Sequence, residues 1–324
     1  IIFEHIKTRG VKYNYTWLII IVTFGTIIFH SINQKILQAK DWVINGNYVL
    51  NLENPILKKL AKTIKDEKLP SRAEMVAFPT TILHPYGIET AGGYQPLYMR
   101  RYFEFWSTIL EPLENVEVEK ISQYSKCCSF TEWPYIRRFR LFLGTSTIAP
   151  QPEQRLSDFN RLNLLSLANV KWILSRDKLT DPSLKLVYGD FKPWHSLTTR
   201  EKIINNIKTN FSSQKDFFVY RNDRALPRFI SPTQINMYER GRFVLDAMAQ
   251  STISDLENTL FVAKNELPED VLLKDIYAPL TISPISYEND EIQLLVEGDI
   301  QGLLVGFNTW SPHWKVEIDR VPAK

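Results

Sequence analysis

Between Tyr13 and Gln34 the chain carries no Asp, Glu, Lys or Arg, and the middle of that run reads Trp17-Leu18-Ile19-Ile20-Ile21-Val22-Thr23-Phe24-Gly25-Thr26-Ile27-Ile28-Phe29. About 20 helical residues rising about 1.5 Å each span a hydrocarbon core of about 30 Å, so the run is long enough to cross a bilayer. Tyr13, Tyr15 and Trp17 stand where an interfacial aromatic belt would lie. A buried core helix would read similarly. So would a signal peptide, because Lys7, Arg9 and Lys12 precede the run, but Ser31-Ile32-Asn33-Gln34-Lys35 lacks a small-x-small cleavage pattern. The expected order is a cytoplasmic or inter-helix loop at 1–12 and a transmembrane helix at 13–34. Lys7, Arg9 and Lys12 outnumber Lys35 and Lys40, which favours a cytoplasmic N-terminal side. The remainder is then expected on the extracytoplasmic side of the cell membrane, with the lipid bilayer as a partner.

The opening Ile1-Ile2-Phe3 reads as the tail of an earlier apolar segment. The last residues, after the turn-like Asp319-Arg320-Val321-Pro322, leave no strand to close a sheet. Both ends are expected to be cuts in a longer membrane protein.

No second uncharged stretch of that length follows, so the rest must fold in water. With 44% hydrophobic and 23% charged residues its composition is that of a globular protein. Asn54 to Lys68 places Ile56, Leu57, Leu60 and Ile64 on one helical face, with Asn54 and Pro55 as a start signal. Glu74 to Phe78 reads as a short buried strand and Leu97 to Leu110 as an aromatic helix. Arg161 to Asn169 and Arg200 to Lys208 read as helices, and Val170 to Leu174, Leu184 to Tyr188 and Phe217 to Tyr220 as strands. From Pro268 onward extended segments dominate, with strict alternation in Trp314 to Asp319, the pattern of a β-meander. The expected fold class is α+β: an α/β-like mixed domain at 35–250, then an antiparallel β-sandwich-like region at 251–324, preceded by the one membrane helix.

Several function classes are poorly supported. Lys and Arg number 39 against 36 Asp and Glu, a formal charge of +3 scattered along the chain, so nucleic acid is not an expected partner. Glycine is scarce, at 12 residues, and no G-x-G-x-x-G, Walker or G-x-S-x-G motif occurs. His5, His30, His84, His195 and His313 are scattered without metal-ligand spacing, so no metal site and no cofactor are expected. Cys127 and Cys128 are adjacent, about 3.8 Å apart where a disulfide wants at least about 4.4 Å, and read as a small buried pair. Paired carboxylates such as Glu111 with Glu114 lie in solvated charged stretches, and no catalytic residue is assigned.

The most unusual stretch is Ala91-Gly92-Gly93-Tyr94-Gln95-Pro96-Leu97-Tyr98-Met99-Arg100-Arg101-Tyr102. Adjacent glycines let a partner approach the backbone closely, while Tyr and Arg stack on sugar faces and hydrogen-bond to hydroxyls or phosphate. Gly92, Gly93, Tyr94, Arg100, Arg101 and Tyr102 are the candidate ligand-binding residues. The plainer alternative is a turn before an aromatic core helix with solvated arginines. Trp106, Trp133, Trp194, Trp310 and Trp314 fit sugar platforms or core fillers, and Arg137-Arg138-Phe139-Arg140 a small basic patch.

Taken in order, several of these segments have a family likeness. The membrane helix, Gly92-Gly93-Tyr94 leading into Arg101-Tyr102-Phe103-Glu104-Phe105, and the stretch from Leu162-Asn163-Leu164-Leu165 to Trp172-Ile173-Leu174 resemble the C-terminal part of YfhO-type bacterial membrane proteins. Phe218-Val219-Tyr220-Arg221-Asn222 with Ala225-Leu226-Pro227-Arg228 looks like that family's strand and Leu-Pro-Arg element. Ser286-Tyr287-Glu288-Asn289-Asp290-Glu291-Ile292 and Trp310-Ser311-Pro312-His313-Trp314 look like its terminal β region. His313 and Arg320 stand where the family has glycine, which leaves those two turn geometries open. The family is similar to multi-pass GT-C glycosyltransferases, which transfer a sugar from a polyprenyl-phosphate carrier to an acceptor outside the membrane. The resemblance therefore implies a lipid-linked sugar or a cell-envelope glycan as partner. Its catalytic acid belongs to an early outer loop absent from this chain, so no catalytic residue is carried over. A membrane-anchored carbohydrate-binding or assembly module without catalysis is the alternative.

Overall fold

The computed structural model describes residues 15–45, 54–76, 80–94, 99–124, 140–141, 155–158, 160–175, 178–189, 192, 196–204, 217–266, 276–288, 291–298, 302–308 and 314–323. The chain mixes helices and strands and divides into two compact units. The first comprises Ile1–Leu50 with Thr198–Ser212, the second Asn51–Leu197 with Ser213–Lys324.

In the first unit, helix α1 (Tyr15–Asn45) is 31 residues long and continues well past the expected end at residue 34. Its stretch Ile20–Ala39 is long and apolar enough to cross a membrane. Every residue of that stretch is exposed, Phe29 to 73% and Ile21 to 65%. The same unit holds the described part of the expected 200–208 helix, residues 199–204, opened by a reciprocal cap in which Thr198 N–H donates to Glu201 at 2.6 Å.

The second unit begins with helix α2 (Pro55–Lys65), where the Asn54 side chain accepts the N–H groups of Ile56 at 2.9 Å and Leu57 at 3.2 Å. Strand β1 (Arg72–Met75) follows, then β2 (Gly93–Tyr94), helix α3 (Arg100–Tyr124) and β3 (Arg140–Leu141). Helix α4 (Leu162–Leu167) runs into β4 (Val170–Ser175) through Asn169, whose φ of 61° is the left-handed position that ends many helices and that Asn tolerates. Strands β5 (Leu184–Tyr188) and β6 (Phe218–Asn222) complete a four-stranded sheet ordered β1-β4-β6-β5, parallel between β1 and β4 and antiparallel elsewhere.

Both faces of this sheet are covered, which is why β4 is largely apolar, whereas β1 carries Arg72 and the buried Glu74 among its four residues. Leu57, Leu60 and Ile64 of α2 pack with Met75, Trp172, Leu174 and Val219. Trp106 and Ile109 of α3 and Leu164 and Leu165 of α4 pack with Val170, Ile173, Phe218 and Tyr220. Register slips between Arg72, paired with Val170, and Ala73, paired with Trp172. That bulge lets Val170 and Ile173 face the same side.

Helix α3 contains Pro112, which has no N–H to give to the Thr108 carbonyl. Arg161 makes good the loss: its Nε donates to Thr108 O at 3.2 Å, its backbone N–H to Ile109 O at 3.0 Å, and its Nη2 pairs with Glu111 at 2.5 Å.

After β7 (Phe229–Ile230), strand β8 (Gln234–Tyr238) passes through helices α5 (Gly241–Gln250) and α6 (Ile253–Asn258) into β9 (Thr259–Ala263), which pairs parallel to β8. Parallel neighbours need such a crossover. Residues on both sides of 250, where the sequence suggests a boundary, thus form one β–α–β unit, with both helices additional to the expected elements. Strands β10 (Thr281–Tyr287) and β11 (Ile292–Glu297) form an antiparallel hairpin, and so do β13 (Val316–Ile318) and β14 (Val321–Ala323). Strand β12 (Val305–Gly306) pairs with β7 rather than with β11, as a simple meander would require. The close approach needs glycine: a Cβ on Gly306 would meet the Phe229 ring at 2.8 Å, and one on Gly302 would collide with the Leu280 side chain. The spacing Gly298, Gly302, Gly306 thus serves strand and loop packing.

Candidate functional site

The Gly92-Gly93 loop is fixed at its first residues. Gly92 N–H donates to the Glu74 carboxyl, Thr90 Oγ1 donates to Gly92 O at 2.9 Å, and Trp106 Nε1 donates to Ala91 O at 3.0 Å. Trp106 is thus a core residue that holds the loop against α3. Gly93 and Tyr94 enter β2, opposite Leu141 and Arg140 of β3. Residues 95–98 and the side chain of Tyr94 lie outside the described residues.

Beyond them, Arg100 and Arg101 open α3 with 90% and 70% of their side chains exposed. Arg100 pairs with Glu104 at 2.8 Å and Arg101 with Glu266 at 3.0 Å. Exposed ion pairs of this kind are weak, so both guanidinium groups can exchange partners for an anionic or hydroxyl-rich ligand. Tyr102 is half-buried and packs on the core around Trp106. The structure thus brings Gly92 and Tyr102 to one core through Trp106 and leaves the two arginines at the surface.

Beneath Gly92 lies a group that sequence reading leaves unassigned. Glu74 is fully buried, and burial pushes its carboxyl up to about 8, against the opposing pull of the Gly92, Ala91 and Met75 N–H groups and of Arg72. At neutral pH it is a neutral acid, and its Oε2 has no partner among the described residues. The available signal was a carboxylate inside a strand expected to be buried.

A second cluster joins the mixed core to the later strands. Arg228, 1% exposed, donates from Nη1 to Glu89 at 2.8 Å and to Tyr287 Oη at 2.5 Å, and from Nη2 to Pro70 O at 2.8 Å. Arg72 donates from Nη1 to Phe307 O at 2.7 Å and to Ala168 O at 3.1 Å, and from Nη2 to Asn308 at 3.1 Å. Burial, with the like charge of Arg228, lowers the Arg72 pKa. Burial pushes the Tyr287 hydroxyl up to about 12, so it stays a phenol that donates to Glu89 while accepting from Arg228. Two guanidinium groups thus face one carboxyl group, Glu89, and the cluster holds elements together while Arg228 itself is closed to solvent.

Among the described residues no group of three or more His, Cys, Asp or Glu could hold a metal ion. Trp314 is 45% exposed. Trp133, Trp194, Trp310, Cys127, Cys128, Arg137, Arg138, Phe139, His5, His195 and His313 lie outside the described residues. Compared with protein-family models, with curated proteins and with solved structures, the chain matches none of them.

Proposed function

We propose that this chain is the last membrane helix and extracytoplasmic domain of a multi-pass, YfhO-type glycosyltransferase-like protein. That protein would transfer a sugar from a polyprenyl-phosphate carrier to a cell-envelope glycan, and this part would aid acceptor or donor binding. The observation that carries the reading is α1: an unbroken helix whose Ile20–Ala39 stretch presents large apolar side chains on its surface, an area that suits lipid far better than water. Support comes from packing. The segments that carry the resemblance meet in space, with Asn169 Nδ2 donating to Leu226 O at 2.8 Å, Asn222 Nδ2 to Ser166 Oγ at 2.9 Å, and Arg228 reaching Tyr287. On this reading the strands from Thr281 onward belong to the β-sandwich-like region, and Gly92, Gly93, Tyr94, Arg100, Arg101 and Tyr102 meet sugar hydroxyls or the carrier phosphate.

One observation favours a non-catalytic carbohydrate-binding or assembly module instead. Glu74, the carboxyl most displaced in its protonation among the described residues, is buried beneath Gly92 and closed to solvent. The experiment uses the protein made from its own gene, reconstituted in proteoliposomes with a polyprenyl-phosphate-linked sugar. The transferase reading expects transfer to a glycan acceptor, lowered by Tyr94→Ala and by Arg101→Ala with thermal unfolding unchanged. Glycan binding without transfer would leave the module, and full transfer by both variants would remove the loop from the site. Recovery of the protein in the supernatant after a carbonate wash would sink the membrane reading itself.

A further inference from the structure

Arg72 of β1 and Arg228, just before β7, turn their guanidinium groups towards the same two acceptors. Glu89 Oε2 lies 2.8 Å from Arg228 Nη1 and 3.9 Å from Arg72 Nε, and Asn308 Oδ1 lies 3.4 Å from Arg228 Nη1 and 3.1 Å from Arg72 Nη2. The Glu89 carboxyl is thus within hydrogen-bond reach of only one arginine and faces the other across a gap too long for a bond. Arg228 Nε is buried and has no partner among the described residues. N–H donors outnumber acceptors in this cluster.

Charge is unbalanced in the same sense. Two guanidinium groups meet at most one negative charge, on Glu89, because Glu74 on the same strand as Arg72 is a neutral acid and Tyr287 a phenol. Burial, and then the like charge of Arg228, hold the Arg72 pKa down, and Glu89 opposes them only in part. Uncompensated charge inside a protein calls for a further anion. A phosphate group carries about −1.5 to −2 at pH 7, which matches two guanidinium groups. Its tetrahedral oxygens can also serve two guanidinium forks on different strands, whereas a planar carboxylate fits one.

We propose that Arg72 and Arg228 bind a phosphate group, free or esterified, at the position held by Glu89 Oε2, with Glu89 as the stand-in that closes the site. The way in is Glu89, whose side chain is 36% exposed against 13% for Arg72 and 1% for Arg228. Turning its carboxyl outward bares Arg228 Nη1 and Arg72 Nε together. The Tyr287 hydroxyl, which donates to Glu89 in the closed arrangement, is then free to donate to a phosphate oxygen. The site uses none of the Gly92 loop residues, so it goes beyond the proposed function rather than resting on it.

The test uses the full chain in detergent at constant ionic strength in a chloride buffer, with inorganic phosphate titrated in and binding followed by calorimetry. Phosphate should bind saturably. Arg72→Gln should weaken that binding about tenfold or more, because it removes charge-assisted hydrogen bonds. Arg224→Gln, which alters an exposed arginine elsewhere on the same unit, should leave the affinity unchanged. Where Arg72→Gln fails to fold, Glu89→Gln carries the test: without the acid that competes with phosphate, binding should tighten about tenfold. Glycerol 3-phosphate, titrated in the same way, tells an esterified ligand from a free one by which of the two probes binds more tightly. Absence of saturable binding in both the unaltered chain and Glu89→Gln, equal affinity of those two chains, or a loss in Arg224→Gln as large as in Arg72→Gln would each overturn the proposal. No arm involves sugar transfer or a lipid bilayer, so failure here leaves the proposed function standing, and failure there leaves this site.

Discussion

Arg228 and Tyr287 are 59 positions apart, yet Nη1 of the arginine lies 2.5 Å from the phenolic oxygen and its guanidinium carbon 5.0 Å from the ring centroid. One planar group thereby reaches β10, Glu89 and the carbonyl of Pro70 just before β1. Removing one partner of a buried, charge-assisted network leaves the others unpaired, so Arg228→Ala should destabilise the chain by about 3–5 kcal/mol. Arg228→Lys should lose most of that too, because an ammonium lacks the fork that serves several acceptors. Tyr287→Phe removes one hydroxyl while the Glu89 contact remains, and should lose about 1–2 kcal/mol. Urea unfolding of the full chain in detergent, followed by tryptophan fluorescence, checks the ranking. A Tyr287→Phe loss as large as that of Arg228→Ala would contradict it.

Glu74 makes stability depend on pH in an unusual direction. Its folded value of about 8 lies above the ordinary 4.5, so the folded chain keeps a proton that the unfolded chain releases. The contribution of this group to stability is therefore full below about pH 4.5, declines as pH climbs to about 8, and is constant above that. Glu74→Gln keeps the shape and removes the titration. Relative to the unaltered chain the variant should gain stability progressively across that window, on the order of a few kcal/mol by its upper end. Unfolding midpoints of both chains measured across the window give the difference directly. Parallel curves would show that Glu74 does not titrate as its burial implies.

How much of this was legible in the sequence depends on the range of the interaction. Local signals were readable: Asn54-Pro55 opens α2, the aromatic run from Leu97 lies in α3 from Arg100 on, and the alternation of Val316 to Ile318 gives β13. Asn169 stands at a readable helix-to-strand junction, but its left-handed φ and its bond to Leu226 depend on the fold. Helix α5 carries no strong start signal, since Arg240 before it makes no side-chain cap, whereas α6 is opened by a Thr252–Asp255 capping box that the sequence does show but is only six residues long. At the candidate loop the residue types were readable and the support was not. Glu74, Glu89, Arg72 and Arg228 are ordinary charges in the sequence, and only tertiary pairing over long separations makes them a cluster.

Pro112 and Arg161 form a pair that a double-mutant cycle can isolate. The proline frees the Thr108 carbonyl inside α3 and the arginine occupies it from outside the helix. Arg161→Ala alone should lose about 1–2 kcal/mol, since it leaves that carbonyl and Glu111 without their donor. Pro112→Ala lets residue 112 donate to Thr108 and makes the arginine partly redundant. The loss caused by Arg161→Ala should then shrink by about 0.5–1 kcal/mol in the Pro112→Ala background. Strict additivity of the two changes would mean that the arginine does not substitute for the missing helical bond.

The β13–β14 hairpin turns at Asp319 and Arg320, with φ values of 51° and 67°, between the paired residues Ile318 and Val321. Two central residues at positive φ are the mark of a type I′ turn, which matches the twist of the strands but favours Asn or Asp followed by Gly. Asp319 fits and Arg320 does not, since a long side chain in the left-handed region is strained by about 1–2 kcal/mol. Arg320 makes no contact that requires an arginine among the bonds described for it, so Arg320→Gly should relieve strain in the turn. Glycine also has more freedom to lose on folding, which offsets part of the gain and leaves a net stabilisation of about 0.5–1 kcal/mol. Two exposed strands unfold locally before the core does, so the effect belongs in amide hydrogen exchange of Val316 to Ala323 rather than in the global midpoint. Slower exchange of the Ile318 and Val321 amides in the variant is the expected outcome. Faster exchange would mean that Arg320 stabilises the turn through its side chain, and that the departure from glycine at this position has a structural purpose.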